Sequence, residues 1–134
     1  MNKKTIAIFT GNRAEYGLQF SIIDSIKKHK NLNYKLIVSG AHLEKKFGNT
    51  VRQIKKDGFK ITSLIKLKNT KLNTQAFTPL TISDAIHKIA LALNKIKPDI
   101  MLVNADRYET FAATIASSQM HIPTYHVEGG DITL

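Results

Sequence analysis

The chain has 134 residues, 43% of them hydrophobic and 22% charged, which sizes it for one globular domain able to remove roughly two-thirds of its unfolded surface from water. It contains no cysteine, which excludes disulfides and thiolate metal sites and favours a reducing, cytoplasmic setting. The formal net charge of +10 is nearly all lysine, scattered without aromatic interleaving and with few arginines, so a solvated surface is favoured over a nucleic-acid partner, and attraction to an anionic small molecule stays open.

Met1 to Lys4 followed by Thr5-Ile6-Ala7-Ile8-Phe9-Thr10 looks like the start of a leader, but Gly11-Asn12-Arg13 breaks the apolar run before any small-residue cleavage site. Elsewhere no apolar run approaches the roughly 20 residues of a membrane span, and no membrane partner is expected. Thr5 to Phe9 predicts strand one, and Gly17 to Lys28 predicts helix one with Leu18, Ile22, Ile23 and Ile26 facing inward. Strand two follows at Tyr34 to Ser39. A second helix begins near Asn49 or Thr50, carries Val51 and Ile54, and stops at Gly58.

Lys60 to Ile65 is a weaker third strand, and Lys66 to Phe77 is a polar surface loop. Thr81 and Asp84 have the spacing of a helix-capping pair, and Ile82, Ala85, Ile86, Ile89, Ala90, Leu93 and Ile96 then share one helical face until Pro98. Asp99 to Val103 is strand four, Tyr108 to Ser118 is helix four with Phe111, Ala112 and Ile115 inward, and Pro123 to Val127 is strand five. Apolar β-rich runs alternating with helical periods predict an α/β, doubly wound parallel sheet in a single domain, residues 1–134.

In such a sheet a ligand sits beyond the carboxyl ends of the strands where the strand order reverses, usually between strands one and four. Three polar segments fall there: Thr10 to Gly17 after strand one, Asn104 to Glu109 after strand four, and His126-Val127-Glu128-Gly129-Gly130-Asp131 after strand five. Gly11 and Gly17 serve either a tight turn with close helix packing or an open ligand-facing backbone. Arg13 lies just before a helix N-terminus, where an anion is favoured. The loop is neither a Walker loop nor a Gly-x-Gly-x-x-Gly fingerprint. Asp106 caps helix four, serves a site, or does both. Glu128 either stands beside a ligand-open glycine pair or pairs with a lysine, and His126 is as much a packing or orienting histidine as a proton donor. His42, His87, His121 and His126 occur singly, without metal-ligand spacing, so no metal is expected.

Together, Thr10-Gly11-Asn12-Arg13-Ala14-Glu15-Tyr16-Gly17, Ser39-Gly40-Ala41-His42-Leu43 with Phe47-Gly48, Lys56-Asp57-Gly58-Phe59, Asp106-Arg107-Tyr108-Glu109 and His126 to Asp131 resemble the hydrolysing UDP-N-acetylglucosamine 2-epimerases. The likeness is strongest to the branch that makes N-acetylmannosamine or related amino sugars for sialic and legionaminic acid synthesis. The resemblance covers essentially the whole chain. It implies the N-terminal, Rossmann-like half of a glycosyltransferase-B type fold and a reaction that eliminates UDP across C1 and C2, then hydrates the glycal to release the free 2-epimer. It implies Asp106 and Glu128 as acid/base carboxylates with Asp131 as a further acidic position. Gly11, Arg13, Arg107, His126, Gly129 and Gly130 become substrate contacts, with Arg13 at the diphosphate, and no cofactor is implied.

Two departures stand out. The family's glycine before the aspartate is Ala105 here, and the family's next segment, an Arg-His helix leading into a second domain, does not follow Leu134. The expectation is therefore an incomplete enzyme with negligible activity alone, completed by the rest of a longer frame or by a separately encoded C-terminal domain. A nonenzymatic remnant or nucleotide-sugar binding module is the alternative; flavodoxin-like flavin or phosphate binding fits the architecture but lacks the loop. Homo-oligomers like those of the family, or self-association through exposed apolar surface, are also expected.

Overall fold

A computed structural model describes residues 2–44, 50–67 and 74–130. Five strands, β1 (Lys4–Thr10), β2 (Leu32–Ser39), β3 (Ile61–Ile65), β4 (Ile100–Asn104) and β5 (Thr124–Val127), form one parallel sheet in the order β3-β2-β1-β4-β5. The helices are α1 (Arg13–Lys28), α2 (Val51–Lys56), α3 (Phe77–Ile96) and α4 (Tyr108–Gln119), with a short 3-10 turn at Gly40–Leu43. The α/β Rossmann-like expectation is borne out. The order turns around between β1 and β4, whose registers pair Ile6 with Ile100 and Ile8 with Leu102.

Alternation along β1 divides the interior into two layers, since successive side chains point to opposite faces. Ala7 and Phe9 join Ile37, Ile89, Leu93, Met101, Val103 and Ala112 on the face covered by α3 and α4. Ile8 joins Ile23, Leu36, Val38, Ile54 and Phe59 on the face covered by α1 and α2. Burial on both faces is why the central strands read as apolar runs rather than as alternating ones. Among the described residues no helix is long and apolar enough to cross a membrane.

The sequence misplaced several details. Helix α1 begins at Arg13, four residues before the predicted Gly17, because Asn12 caps it: the Asn12 Oδ1 accepts from the Glu15 N–H at 3.0 Å, and Glu15 reaches back to the Gly11 N–H at 2.7 Å. Arg13 is thus the helix's first residue rather than its predecessor. Gly17 is exposed inside the helix, with no atom within 4 Å of where a Cβ would stand, so it serves neither turn nor packing.

The inward face of α1 is Tyr16, Gln19, Ile23 and Ile26, and Leu18, predicted inward, is 52% exposed. Gln19 takes the core position because its amide donates to the Phe9 carbonyl at 2.8 Å, which satisfies a polar group that hydropathy assigns to the surface. In α4 the buried face is Ala112, Ala113 and Ala116, with Phe111 56% exposed rather than inward. Thr81 and Asp84 do not cap α3. The helix starts at Phe77, and Pro79 is tolerated in the first turn, where its missing N–H has no intrahelical partner to lose. Thr81 instead donates to the Phe77 carbonyl one turn back, and Asp84 pairs with Lys88 at 2.7 Å. Asn49, the alternative start of the second helix, the Phe47-Gly48 pair, residues 68–73 of the expected 66–77 loop and Asp131 lie outside the described residues.

Candidate functional site

The carboxyl ends of β1, β4 and β5 bring the three polar segments to one rim. At β1 the Asn12 cap opens the first turn of α1, with Arg13 exposed at its start and Gly11 behind it. The loop after β2 presses against this turn. Gly40 lies at φ +58°, and a Cβ there would stand 2.6 Å from the Gly11 carbonyl oxygen, so only glycine allows both the dihedral and the approach. His42, fully buried, bridges the hydroxyls of Thr10 and Thr50, the first at 2.9 Å. Burial without a countercharge pushes its imidazole down to about 4, so it is neutral near pH 7 and fastens the β1 turn as a hydrogen-bonding spacer.

Below the rim lies a charge cluster. Arg107 spans Glu109 with Nε to Oε2 at 3.1 Å and Nη2 to Oε1 at 3.2 Å, a two-point contact, and its Nε is 3.9 Å from Glu15 Oε1. The side chains of Glu15 and Glu109 are only 2% exposed. Burial raises the Glu15 carboxyl above its ordinary value, opposed by the Gly11 N–H and by Arg107. The hydrogen bonds that Arg107 donates to Glu109, and the charges of Glu109 and Glu15, raise Arg107 against the burial that would lower it. Neighbouring Tyr108 is also raised, first by burial and then by the Glu109 charge.

Asp106 faces away from this cluster. Helix α4 starts at Tyr108 with Arg107 as its cap residue, so Asp106 does not cap it, and its side chain is 80% exposed. Ala105 before it adopts φ +63°, the left-handed region that favours glycine. His126 Nε2 donates to the Ala105 carbonyl at 2.9 Å and lies 3.5 Å from Asp106 Oδ1. Glu128, at φ +60°, is exposed; its partner is the Asn104 amide, Nδ2 to Oε2 at 3.5 Å, rather than a lysine. The oxygen of that amide, Asn104 Oδ1, is buried with no partner among the described residues. A cleft of about 480 Å³ opens beside Ala105, Asp106, Arg107, Tyr108, Phe111 and His126.

The fold therefore groups Asp106, Arg107 and His126 at one cleft, sets Glu128, Gly129 and Gly130 on the next strand end, and places Gly11 and Arg13 at the end of β1. Among the described residues no three histidine, aspartate or glutamate side chains are grouped to hold a metal ion. Sequence reasoning missed Glu15, Glu109, His42 and Asn104 as supporting groups. Glu15 and Glu109 carried a usable signal, an acid in the first turn of a helix that follows a strand, where it meets N–H groups and the helix dipole. Such a site offers two exposed carboxylates for proton transfer and an arginine with helix N–H groups for an anion.

A family model described as UDP-N-acetylglucosamine 2-epimerase matches residues 24–134. The chain is similar to polysialic acid biosynthesis protein P7 of Escherichia coli, 33% identical across 98% of this chain and 33% of that protein. It is similar also to the hydrolyzing GDP/UDP-N,N'-diacetylbacillosamine 2-epimerase of Campylobacter jejuni, 34% identical across 100% of this chain and 34% of that protein. Among solved structures, the UDP-GlcNAc 2-epimerase of Neisseria meningitidis bound to UDP-GlcNAc superposes with a TM-score of 0.78 at 26% identity, over 97% of this chain and 33% of that one. The chain spans about a third of the length of the curated relatives it matches.

Proposed function

The chain belongs to the UDP-N-acetylglucosamine 2-epimerase family, and from that premise we propose that it supplies the N-terminal, Rossmann-like wall of a hydrolysing 2-epimerase of glycosyltransferase-B type. The substrate class is a UDP-N-acetylhexosamine. UDP-N-acetylglucosamine is the first compound to test, and UDP-N,N'-diacetylbacillosamine, named for a relative, the second. The observation that carries the reading is the pair of exposed carboxylates, Asp106 and Glu128, at the ends of neighbouring strands β4 and β5 beside the reversal point.

Removing UDP across C1 and C2 needs a base for a weakly acidic C2 proton and a partner for the departing and returning oxygen. Asp106 and Glu128 divide those two tasks. Arg13 and the free N–H groups of the first turn of α1 steady the diphosphate as charge develops on it. Water then adds to the glycal and the free 2-epimer leaves. Asp131 is a third acidic group of the same segment, and Gly129 and Gly130 leave the backbone open to the sugar. The compartment we propose is the cytoplasm, in keeping with the cysteine-free sequence. The pathway we propose is amino-sugar supply of the sialic acid kind.

The relatives are three times as long, and we place the uridine contacts in the part of them that this chain does not span. A crevice with one wall holds its reactants loosely, and an angstrom of misplacement costs roughly a hundredfold in rate. Turnover is therefore expected only together with a polypeptide covering the remaining length. A second reading, binding of a nucleotide sugar without turnover, is favoured by one observation: the Ala105 methyl group stands where the resemblance places glycine. UDP release from UDP-N-acetylglucosamine, assayed with the chain alone and complemented, separates the two. Full rate in complemented Asp106→Asn and Glu128→Gln variants would remove the acid/base assignment.

A further inference from the structure

The end of β5 carries a contact that the proposed chemistry leaves unused. The His126 ring reaches across to the neighbouring turn and donates from Nε2 to the Ala105 carbonyl at 2.9 Å. A carbonyl only accepts, so Nε2 holds a proton. Gly129 backs the same ring. A Cβ at residue 129 would stand 2.6 Å from both Cγ and Cε1 of His126 and closer still to Nδ1, well inside van der Waals contact. Gly129 is outside the left-handed region, so space and not dihedral freedom requires glycine here.

The carbonyl that receives this bond belongs to Ala105, the left-handed residue directly before Asp106. The Ala105 N–H is held from the other side by the Val127 carbonyl at 3.2 Å, one residue before Glu128. Two bonds thus cross between the turn that carries Asp106 and the turn that carries Glu128, and the glycine seat fixes the depth of the ring that makes one of them. We propose that His126 is a positioning residue, a latch seated on Gly129 that sets the placement of Asp106 relative to Glu128 for the sugar ring of the bound nucleotide sugar. The role in sugar placement rests on the proposed function; the latch itself does not. Such a residue acts on the placement of Asp106, through the Ala105 carbonyl and from beside the Asp106 carboxylate at 3.5 Å, which distinguishes it from a substrate contact.

Two readouts on the 134-residue chain decide the matter. In isotope-labelled protein, NMR is expected to show a hydrogen-bonded proton on His126 Nε2. Gly129→Ala should abolish that signal and shift the Asp106 amide, yet shift it no further in a His126→Ala background, because the two changes act through one contact. Titrations with UDP and with UDP-N-acetylglucosamine, on the chain complemented by a polypeptide covering the remaining length, supply the second readout. Gly129→Ala and His126→Leu should leave UDP affinity unchanged and weaken UDP-N-acetylglucosamine binding about tenfold, whereas His126→Gln, whose amide reaches the same carbonyl, should stay within about twofold. Additive shifts in the double variant, or an Asp106 amide indifferent to Gly129→Ala, would overturn the latch. Equal weakening of both ligands would reduce it to a general structural role. If the unsubstituted chain, complemented by a polypeptide covering the remaining length, binds neither ligand, the proposed function fails, while the Nε2 proton and the Asp106 amide still decide the latch.

Discussion

Asp106 and Glu109 lie three residues apart, one in the turn after β4 and the other in the first turn of α4, and the fold treats them oppositely. The Glu109 side chain is 2% exposed and gripped at two points by Arg107; the Asp106 side chain is 80% exposed and borders an open cleft. Glu15 and Glu128 repeat the contrast, one tied to the Gly11 N–H beneath the rim and the other exposed at the end of β5. An acid desolvated with an arginine and backbone donors is spent on joining loops, since moving it would strand a buried charge. An acid on the rim contributes little to stability and keeps both lone pairs and proton for a ligand. The difference separates the groups that hold the site together from those available for chemistry.

That contrast breaks most visibly at Arg107. Arg107→Met leaves two buried carboxylates without their cation and should lower the unfolding free energy by about 4 kcal/mol, with partial recovery when Glu109→Gln is added. A urea-denaturation loss below about 1 kcal/mol would show that the inner cluster does not fasten the loops.

Next comes pH. His42 folds with a value of about 4 against about 6.5 unfolded, so the unfolded chain takes up the proton first as pH falls. Its contribution is complete above about pH 6.5 and is lost as pH drops toward about 4, a decline of about 3 kcal/mol. Glu15, raised by burial, gives a slope of the opposite sign. Denaturation of the parent and of His42→Gln at several pH values isolates the histidine: the variant should lack this decline, and an unchanged slope would reassign it.

Ala105→Gly should relieve the left-handed strain, less the extra freedom glycine gives the unfolded chain, for a net gain of about 0.5 kcal/mol in thermal unfolding. A loss instead would mean that the methyl group packs usefully. The smallest effects belong to the rim. Asp106→Asn and Glu128→Gln should each stay within about 0.5 kcal/mol of the parent. A larger cost at either would erase the distinction between holding and reacting groups.

The parallel sheet, its reversal between strands one and four and the three strand-end segments were legible in the sequence because buried parallel strands write themselves as apolar runs and chain connectivity then fixes where their carboxyl ends lie. Helix faces were less so. Gln19 occupies a core position through one hydrogen bond to the Phe9 carbonyl, and Phe111 is exposed because α4 turns its alanines inward, neither of which hydropathy records. The start of α1 was legible in principle from Asn12 and Glu15, a capping pattern that Gly17 masked. Within the site, the residue types were readable and their partners were not. That Arg107 is gripped by Glu109 while Asp106 points outward depends on a turn at Ala105, and that His126 rests on Gly129 is a contact through space.

The central claim, that the ends of β1, β4 and β5 form one nucleotide-sugar site, is tested most directly by titrating the isotope-labelled chain with UDP-N-acetylglucosamine and following its amide NMR signals. Saturable shifts concentrated at Gly11, Arg13, Ala105, Asp106, His126 and Glu128, with the inner Glu15 and Glu109 amides moving less, are the predicted result. Shifts confined to other surfaces, or none at millimolar ligand when the chain is complemented by a polypeptide covering the remaining length, would contradict it.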